Sequence, residues 1–225
     1  MTNQVTKNLV SSTISAFITN LGKYNEGELV GKWHDFPTTH EEISQTFLEI
    51  GVDGVNYEEF FITDYDIDIE GVYNCLSEYE SLDEINYFAS KISDMNSSEL
   101  EIFENAIKIE DCNNLKNLIN LTENLDCFDY LEGVTSDYDL GDYWLNESGC
   151  YAPEAMGHLH RYFDYESFGR DIAMDENGAY TANGYIRENG NFSYEEYDGK
   201  NIPDEYRVFS LPKYDKVNKK CLKKL

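Results

Sequence analysis

Residues 14–37, ISAFITNLGKYNEGELVGKWHDFP, determine how the first part of the fold is built. Residues 14–20 and 28–36 are rich in β-branched and aromatic side chains, a composition that favours strands. The seven residues between them, LGKYNEG, contain the turn formers Gly and Asn. The stretch therefore predicts a β-hairpin.

A helix and a third strand are predicted directly after this hairpin. Thr39 followed by Glu42 has the spacing of a capping box, which marks a helix N-terminus. The inner face of this helix is predicted to contain Ile43, Phe47 and Leu48. Residues 57–65, YEEFFITDY, are predicted to form the third strand. Together these elements predict a small β-β-α-β layer over about residues 13–70.

The middle of the chain has the periodicity of amphipathic helices. The first helical stripe consists of Leu76, Tyr79, Leu82, Ile85, Phe88 and Ile92. Ser98 and Glu101 predict the cap of a second helix, whose inner face is Leu100, Phe103 and Ile107. Asp111 is the predicted start of a third helix, and Asp137 and Pro153 are predicted to start two more.

The last part of the chain mixes both types of element. Residues 164–172 predict a short helix, and the Asn183-Gly184 turn predicts a tight hairpin within 178–187. Residues 206–211, YRVFSL, predict a final strand. The fold class is therefore α+β. The predicted boundaries are an N-terminal extension (1–13), a β-β-α-β domain (14–72), an acidic helical domain (73–150), a mixed α+β domain (151–212) and a Lys-rich tail (213–225).

Charge is the dominant compositional feature. The 225 residues carry 44 Asp and Glu against 17 Lys and Arg, a formal charge of -27. The segment from Glu49 to Asp142 holds 25 acids and three bases, whereas six lysines lie in the last thirteen residues. Disordered acidic chains are poor in aromatic residues, but this chain is 14% aromatic. The composition therefore predicts a folded protein with a strong negative field, which repels nucleic acid.

No stretch of the sequence carries a complete catalytic or metal-binding motif. Gly22 and Gly27 have the spacing of a phosphate-binding loop, but the required Lys-Ser/Thr is missing. Asp64, Asp66 and Asp68 resemble the start of a calcium loop that lacks its Gly and its final Glu, which leaves loose divalent binding as an open alternative. The His158-x-His160 pair predicts one packed and one surface histidine, and His34-Asp35 lacks a nucleophile. The sequence predicts no enzyme, no cofactor and no metal site.

The remaining features concern the environment of the chain. No apolar run is long enough to span a membrane, and residues 1–15 lack the apolar centre of a secretory signal. Five widely spaced cysteines without a CxxC motif indicate reduced thiols. These features predict a cytoplasmic protein.

An acidic surface of this density can take the place of DNA. Duplex DNA carries one charge about every 1.7 Å, so the charge of two copies of this chain corresponds to about 90 Å of duplex, or roughly 27 base pairs. A rigid array of carboxylates would thus match the Lys and Arg rows of a DNA-binding groove. The predicted phosphate mimics in the first domain are Glu58, Glu59, Asp64, Asp66, Asp68 and Glu70. Those in the helices are Glu78, Glu80, Asp83, Glu84, Glu99, Glu101 and Glu104, and those in the following stretch are Asp126, Asp129, Glu132, Asp137, Asp139 and Asp142.

Four segments resemble those of the ArdA-type antirestriction proteins. Residues 16–37 resemble the family's first hairpin, and residues 57–66, YEEFFITDYD, resemble its next strand. Residues 127–149, CFDYLEGVTSDYDLGDYWLNESG, lie where the family has its antirestriction motif. Residues 162–172, YFDYESFGRDI, look like its Y-x-D-Y-x-x-x-x-R-D signature, within which Arg170 and Asp171 are predicted to pair and fix the third domain.

The resemblance implies an elongated monomer of three small domains that forms a homodimer and mimics bent B-form DNA. It implies inhibition of type I restriction-modification enzymes, with the methyltransferase core as partner, in the cytoplasm of a bacterial host. Two alternatives stay open at this point. One is DNA mimicry aimed at another defence complex, such as a CRISPR effector, and the other is an acidic chaperone or adaptor for basic proteins.

Overall fold

The computed structural model describes residues 14–191 and 193–211. It has the predicted α+β class, with helices and two three-stranded antiparallel sheets among the described residues. The chain forms two compact units. Among the described residues, the first contains residues 14–95, 113–119 and 197–211, and the second contains residues 96–112, 120–191 and 193–196. The division into three domains stays a prediction, and the N-terminal extension and the Lys-rich tail lie outside the described residues.

The sheet of the first unit contains the predicted hairpin. Strands β1 (Ile14–Asn20) and β2 (Gly31–Phe36) pair antiparallel, and β3 (Phe60–Ile67) pairs with the other edge of β1. The connection predicted as a loop contains a short helix, α1 (Leu21–Asn25). This helix forms because the Asn20 side chain accepts a hydrogen bond from the Lys23 amide at 2.9 Å and thereby caps it.

Helix α2 (His40–Glu49) covers one face of this sheet. The predicted capping box is present, with Thr39 and Glu42 bonded reciprocally. Ile43 and Phe47 are fully buried, as predicted. The placement of Leu48 on the inner face is wrong, because its side chain is 54% exposed. Ile43 and Phe47 are four residues apart and share one helix face, whereas Leu48 lies a further 100° around the helix, towards solvent.

Helix α3 (Leu82–Asp94) begins later than its stripe of apolar residues suggested. Leu76 and Tyr79 precede the helix, and Tyr79 is 69% exposed, so the first part of the predicted stripe is wrong. The helix begins at Leu82 because the Ser81 hydroxyl accepts a hydrogen bond from the Glu84 amide. From there Leu82, Ile85, Phe88 and Ile92 are buried, as predicted.

The C-terminal segment of the described chain packs against α3 without forming a strand. Residue 206 ends a short 3-10 helix (Asp204–Tyr206), and residues 207–211 have no ladder partner among the described residues, so the predicted strand is wrong. A side chain of α3 takes the place of a neighbouring strand as hydrogen-bond acceptor. The Asp83 carboxylate accepts hydrogen bonds from the amides of Val208 and Phe209, each at 2.7 Å. These bonds satisfy backbone donors that a strand would have paired.

The second unit contains helix α4 (Ser97–Ile109), and helix α5 (Leu115–Glu123) is shared between the two units. The predicted inner face of α4 is buried. The prediction of a Ser98–Glu101 cap is wrong, because Asn96 and Glu99 form the capping box two residues earlier. The prediction that α5 begins at Asp111 is also wrong: the helix begins at Leu115, where the Asn114 side chain accepts a hydrogen bond from the Asn117 amide.

The sheet of the second unit has the strand order β4-β6-β5. It consists of β4 (Phe128–Glu132), β5 (Ala179–Tyr180) and β6 (Gly184–Glu188). The predicted hairpin around Asn183-Gly184 is the β5–β6 pair, and the turn is closed by the Thr181 amide, which donates to the Gly184 carbonyl at 2.8 Å. Strand β4 was not predicted, because it lies in a stretch assigned to helices.

Helices α6 (Asp137–Asp142) and α7 (Tyr165–Glu176) complete the second unit. Between them lie a π-helical turn (Tyr143–Glu147) and a 3-10 segment (Pro153–Tyr162) that is kinked at Gly157. The predicted starts at Asp137 and Pro153 are confirmed, and the helix predicted over residues 164–172 is α7, with Asp164 as its cap. The two helices touch through Gly141 and Gly169, where an added Cβ would overlap the facing backbone.

Candidate partner-binding surfaces

The outer face of the first sheet carries two rows of side chains that run across the strands. In one row Asp35 of β2 lies opposite Ser15 of β1, which lies opposite Asp66 of β3. In the next row Trp33, Phe17 and Asp64 occupy the corresponding positions. Because neighbouring strands are about 4.8 Å apart, the two ends of each row are separated by roughly 10 Å. The sheet thus fixes Asp35 and Asp66 at the two ends of one row, next to a row that contains two aromatic rings and ends at Asp64.

Most predicted phosphate mimics of the first unit are exposed. The exposed set is Glu58, Glu59, Asp64, Asp66, Asp68, Glu70 and Glu78. Apart from Glu70, none of these carboxylates forms an ion pair with another residue of 14–191 or 193–211. The nearby cations are used elsewhere: Lys23 contacts Glu26 and Glu28, and Lys32 contacts Glu49 at 2.6 Å. Glu58, Glu59, Asp64, Asp66, Asp68 and Glu78 therefore keep an uncompensated negative charge.

Three other predicted mimics of the first unit are half-buried and hold the unit together. Asp83 accepts the two amide bonds of the C-terminal segment described above. Glu84 accepts a hydrogen bond from the Tyr197 hydroxyl at 2.6 Å, and burial raises the pKa of the Glu84 carboxyl above its ordinary value. Glu80 accepts a hydrogen bond from the Ser77 amide at 3.1 Å. Each of these three carboxylates therefore accepts a hydrogen bond from another residue of the first unit.

The predicted mimics of the second unit divide in the same way. Glu99, Asp126 and Glu132 are exposed, whereas Glu101, Glu104, Asp129, Asp137, Asp139 and Asp142 are partly buried. Asp139 accepts hydrogen bonds from Thr135 and Ser136, which lower the pKa of its carboxyl. Asp137 accepts a hydrogen bond from the Tyr180 hydroxyl at 2.8 Å. Asp139 is thus held by contacts of the helix cap, and Asp137 by a side chain of β5.

Arg170 and Asp171 do not form the predicted pair. Both side chains are exposed on α7. The Arg170 guanidinium lies 3.4 Å from the Asp137 carboxylate and 3.3 Å from that of Glu166. Adjacent residues on a helix point in directions about 100° apart, which separates Arg170 from Asp171. Arg170 instead links α7 to α6.

The charged centre of the second unit is Arg187, which the sequence reasoning missed. Its guanidinium contacts Asp129 at 2.6 Å and Glu176 at 2.9 Å, and lies 5.0 Å from the centre of the Trp144 ring. Burial raises the pKa of the Glu176 carboxyl. One feature of the sequence could have indicated Arg187: side chains alternate between the two faces of a strand, so residues 184–188 place Arg187 on the same face as the buried Tyr185. The partners of Arg187 are distant in sequence, and no local pattern indicates them.

The histidines that the sequence analysis singled out make hydrogen bonds within the fold or lie at its surface. Both ring nitrogens of His34 are hydrogen-bonded, to Thr46 at 2.9 Å and to Thr38 at 2.8 Å, and burial lowers the pKa of the imidazole. His160 is half-buried against Tyr165 and His158 is exposed, as predicted. Within the described ranges, no three His, Cys, Asp or Glu side chains are grouped as metal ligands. No described helix has both the length and the apolar character needed to cross a membrane.

The described residues thus form an α+β protein with many exposed carboxylates. The family model for the antirestriction protein ArdA matches residues 16–187 of the chain. Because this match covers more than half of the chain, the protein belongs to the ArdA antirestriction family. Proteins of this family are inhibitors of restriction enzymes. No curated protein aligns significantly with the chain.

Proposed function

We propose that this protein inhibits type I restriction-modification enzymes by DNA mimicry. Its carboxylates occupy positions that the phosphates of bound DNA would take in the groove of the methyltransferase core. The observation that supports this most directly is that the exposed acids Glu58, Glu59, Asp64, Asp66 and Asp68 on and beside β3 have no ion-pair partner in the described parts of the chain. Such a surface attracts rows of Lys and Arg and repels nucleic acid.

Rigidity of the acids supports mimicry over simple charge attraction. Asp64 and Asp66 project from a strand that pairs along β1, and Asp137 and Asp139 sit in the capped first turn of α6. A ligand that is already ordered loses little conformational entropy on binding. Neutralising one carboxylate then removes one contact among many, so each acid contributes only a small part of the inhibition.

The proposal includes a homodimer, whose formal charge of twice -27 spans a correspondingly longer stretch of DNA. It also includes action in the cytoplasm of the bacterial host, where restriction enzymes meet incoming DNA, and the three-domain organisation stated above. Sedimentation equilibrium over a range of protein concentrations measures the oligomeric state and tests the dimer.

A displacement assay tests the function. Purified protein is titrated into a type I methyltransferase that holds fluorescently labelled duplex DNA, and the anisotropy of the label is followed at low salt. Release of the DNA with a saturating, stoichiometric profile is expected. If the DNA stays bound while the protein still prevents restriction, the inhibition does not act through the DNA groove. Methylation by the same enzyme, measured in parallel, shows whether both activities are blocked.

Pull-down from a host lysate distinguishes the other partners. Recovery of a different defence complex, or of ribosomal and histone-like proteins that a DNA duplex does not displace, would contradict the type I target. Elution with duplex DNA is the informative step, because only a partner held through its DNA-binding groove is released by it.

A further inference from the structure

The last described residues of the chain are fastened to the first unit. Two backbone amides of this segment donate to the Asp83 carboxylate of α3. The Ser210 hydroxyl contacts the imidazole of His40, which is the first residue of α2. The chain therefore continues beyond Leu211 from a fixed point beside the start of α2.

The Lys-rich tail (213–225) begins two residues after Leu211. Its sequence, KYDKVNKKCLKKL, contains six lysines and a single acid. A chain of this length reaches at most about 45 Å. Asp35 of β2 precedes His40 by five residues, so it lies within about 18 Å of the point from which the tail starts. The lysines can therefore reach the first sheet.

The outer face of the first sheet is the face that α2 leaves uncovered. Ala16 of β1 is fully buried, and His34, which lies opposite it in the register, is hydrogen-bonded to Thr46 of α2. These residues therefore lie on the covered face. Their neighbours Phe17 and Trp33 alternate to the outer face, where the Trp33 side chain is 44% exposed. The outer face is thus accessible to another segment of the chain.

Three exposed carboxylates lie on the outer face. Asp35 and Asp66 occupy the two ends of one row, and Asp64 ends the next row. None of the three forms an ion pair with a residue of 14–191 or 193–211. The two lysines of the first hairpin, Lys23 and Lys32, are held by glutamates. The negative charge of the outer face is therefore uncompensated by the part of the chain that the structure describes.

We infer that the Lys-rich tail lies along the outer face in the free protein and is displaced from it by the protein partner. Opposite charge and the fixed starting point beside α2 both favour this occupant. A segment tethered so close to its site meets it at an effective concentration of about a millimolar. Several exposed ion pairs, each contributing at most about 1 kcal/mol, then suffice together to hold the tail reversibly. The inference rests on the proposed function for the nature of the partner, a protein with rows of Lys and Arg.

A docked tail of this kind makes binding to the outer face more selective. A partner with few cations offers the carboxylates no more contacts than the tail already makes. A groove with long rows of Lys and Arg makes more contacts and displaces the tail. The tail thus favours DNA-binding grooves over isolated basic surfaces, because weak partners must compete with it.

A nitroxide spin label on Cys221, which lies within the tail, measures where the tail docks. In the full-length chain, Cys112 and Cys150, the described cysteines that are not buried, are replaced by Ser. The label is expected to broaden the amide NMR signals of Asp64 and Asp66 at about 50 mM salt. At about 1 M salt, where charges are screened beyond about 3 Å, the broadening is expected to fall at least about 3-fold. No broadening at low salt, or broadening that salt leaves unchanged, would overturn the inference.

A mixed sample shows to which chain the tail binds. Isotope-labelled protein without a nitroxide is mixed with spin-labelled protein of natural isotope composition. Because only contacts between chains broaden signals in this sample, the signals of Asp64 and Asp66 are expected to stay sharp. Broadening as strong as in the doubly labelled protein would show that the tail docks on a second copy, and the inference would be overturned.

Two triple variants with the same change in net charge test whether the outer face holds the tail. The outer-face variant is Asp35→Asn, Asp64→Asn and Asp66→Asn, and the control at exposed acids of the second unit is Glu154→Gln, Asp171→Asn and Asp175→Asn. The outer-face variant is expected to reduce the broadening at positions 64 and 66 at least about 3-fold, and the control to leave it unchanged. Equal reductions would show that the overall field of the protein attracts the tail, and the inference would fail.

Displacement by the partner is followed through the EPR spectrum of the same label, which sharpens when the tail is released. Addition of the type I methyltransferase is expected to sharpen it. Release of DNA from the enzyme with an unchanged spectrum would overturn the inference and leave the proposed function in place. A tail that docks in the free protein, together with an enzyme that keeps its DNA, would remove the proposed function and support the docked tail.

Discussion

Single carboxylates of this protein have two different roles, and Asp53 illustrates the structural one. Its Oδ1 accepts the amide hydrogens of Val55, Asn56 and Tyr57 at 2.9, 2.7 and 3.1 Å. These bonds stabilise the charged form and depress the pKa of the Asp53 carboxyl far below its ordinary value. The acid therefore organises the loop before β3 and is a poor candidate for contact with a partner.

Replacement of Asp53 is expected to destabilise the first unit. Asp53→Ala leaves three loop amides without their acceptor, and a loss of about 1 kcal/mol in the free energy of unfolding is expected. Because the folded pKa is depressed, this contribution is present above the unfolded pKa near 3.9 and is lost as the pH falls towards the folded value. Urea unfolding at pH 7 and pH 3 measures both effects. Asp68→Ala, at an exposed position, is the control, and an equal loss there would contradict the assignment.

Arg187 is expected to contribute more to the stability of the second unit than any exposed acid, because its guanidinium contacts two carboxylates and an indole ring. Its removal leaves Asp129 and Glu176 close together without their cation, so Arg187→Gln is expected to cost about 3 kcal/mol in unfolding free energy. The double variant Arg187→Met, Glu176→Gln removes one of the stranded charges together with the cation and should recover part of this loss. Chemical denaturation of the three proteins provides the comparison. A double variant less stable than the single one would show that the cation's effect is not electrostatic.

Among the elements, helices α6 and α7 are joined by a close backbone contact. A Cβ added to Gly169 would lie 1.8 Å from the carbonyl oxygen of Asp137, so the helices must separate to admit it. Gly169→Ala is expected to destabilise the second unit by about 2 kcal/mol despite the better helix propensity of Ala. Met174→Ala, at an exposed site of the same helix, should change stability by less than about 0.5 kcal/mol. A neutral Gly169→Ala would show that α6 and α7 are not in contact in solution.

Helix starts and turns that depend on residues close together in the chain could be predicted from the sequence. The Thr39–Glu42 capping box and the Asn183-Gly184 hairpin are confirmed, because cap and turn chemistry depend on residues close in the chain. Strand β4 could not be found, because its pairing with β6 joins residues more than fifty positions apart. The same holds for residues 206–211, whose backbone partners are side chains of α3. Apolar periodicity alone also misplaced Tyr79, which precedes the helix that Ser81 caps.

The candidate surface was predictable in composition but not in arrangement. A formal charge of -27 and the resemblance to the ArdA family indicated an acidic inhibitor, and the family is confirmed. Which acids face solvent without a partner depends on tertiary contacts. Asp83 and Asp66 are both acids beside apolar residues in the sequence, yet Asp83 binds the C-terminal segment and Asp66 is exposed on the sheet. Only the fold distinguishes the two roles.

For the whole molecule, a net charge of -27 makes binding to a cationic groove depend strongly on salt. If positioned carboxylates replace phosphates, the logarithm of the inhibition constant varies linearly with the logarithm of the salt concentration, and each lost contact lowers the slope by about one. Neutralising the cluster Asp64, Asp66 and Asp68 to Asn should therefore weaken inhibition at low salt and flatten this dependence. Asp66→Asn alone should change inhibition by less than about 5-fold, since one exposed ion pair contributes at most about 1 kcal/mol.

The matched control is a triple variant with the same change in net charge at exposed acids outside the predicted set, namely Glu154→Gln, Asp175→Asn and Glu205→Gln. Inhibition of a type I methyltransferase is measured for the wild type and both triple variants between about 50 and 200 mM salt, a range over which several phosphate-like contacts change the affinity by orders of magnitude. The cluster variant should lose more affinity than the control, because only its acids are proposed to meet the rows of Lys and Arg. Equal losses would mean that net charge alone attracts the enzyme, and the placement of carboxylates along β3 would then have no part in recognition.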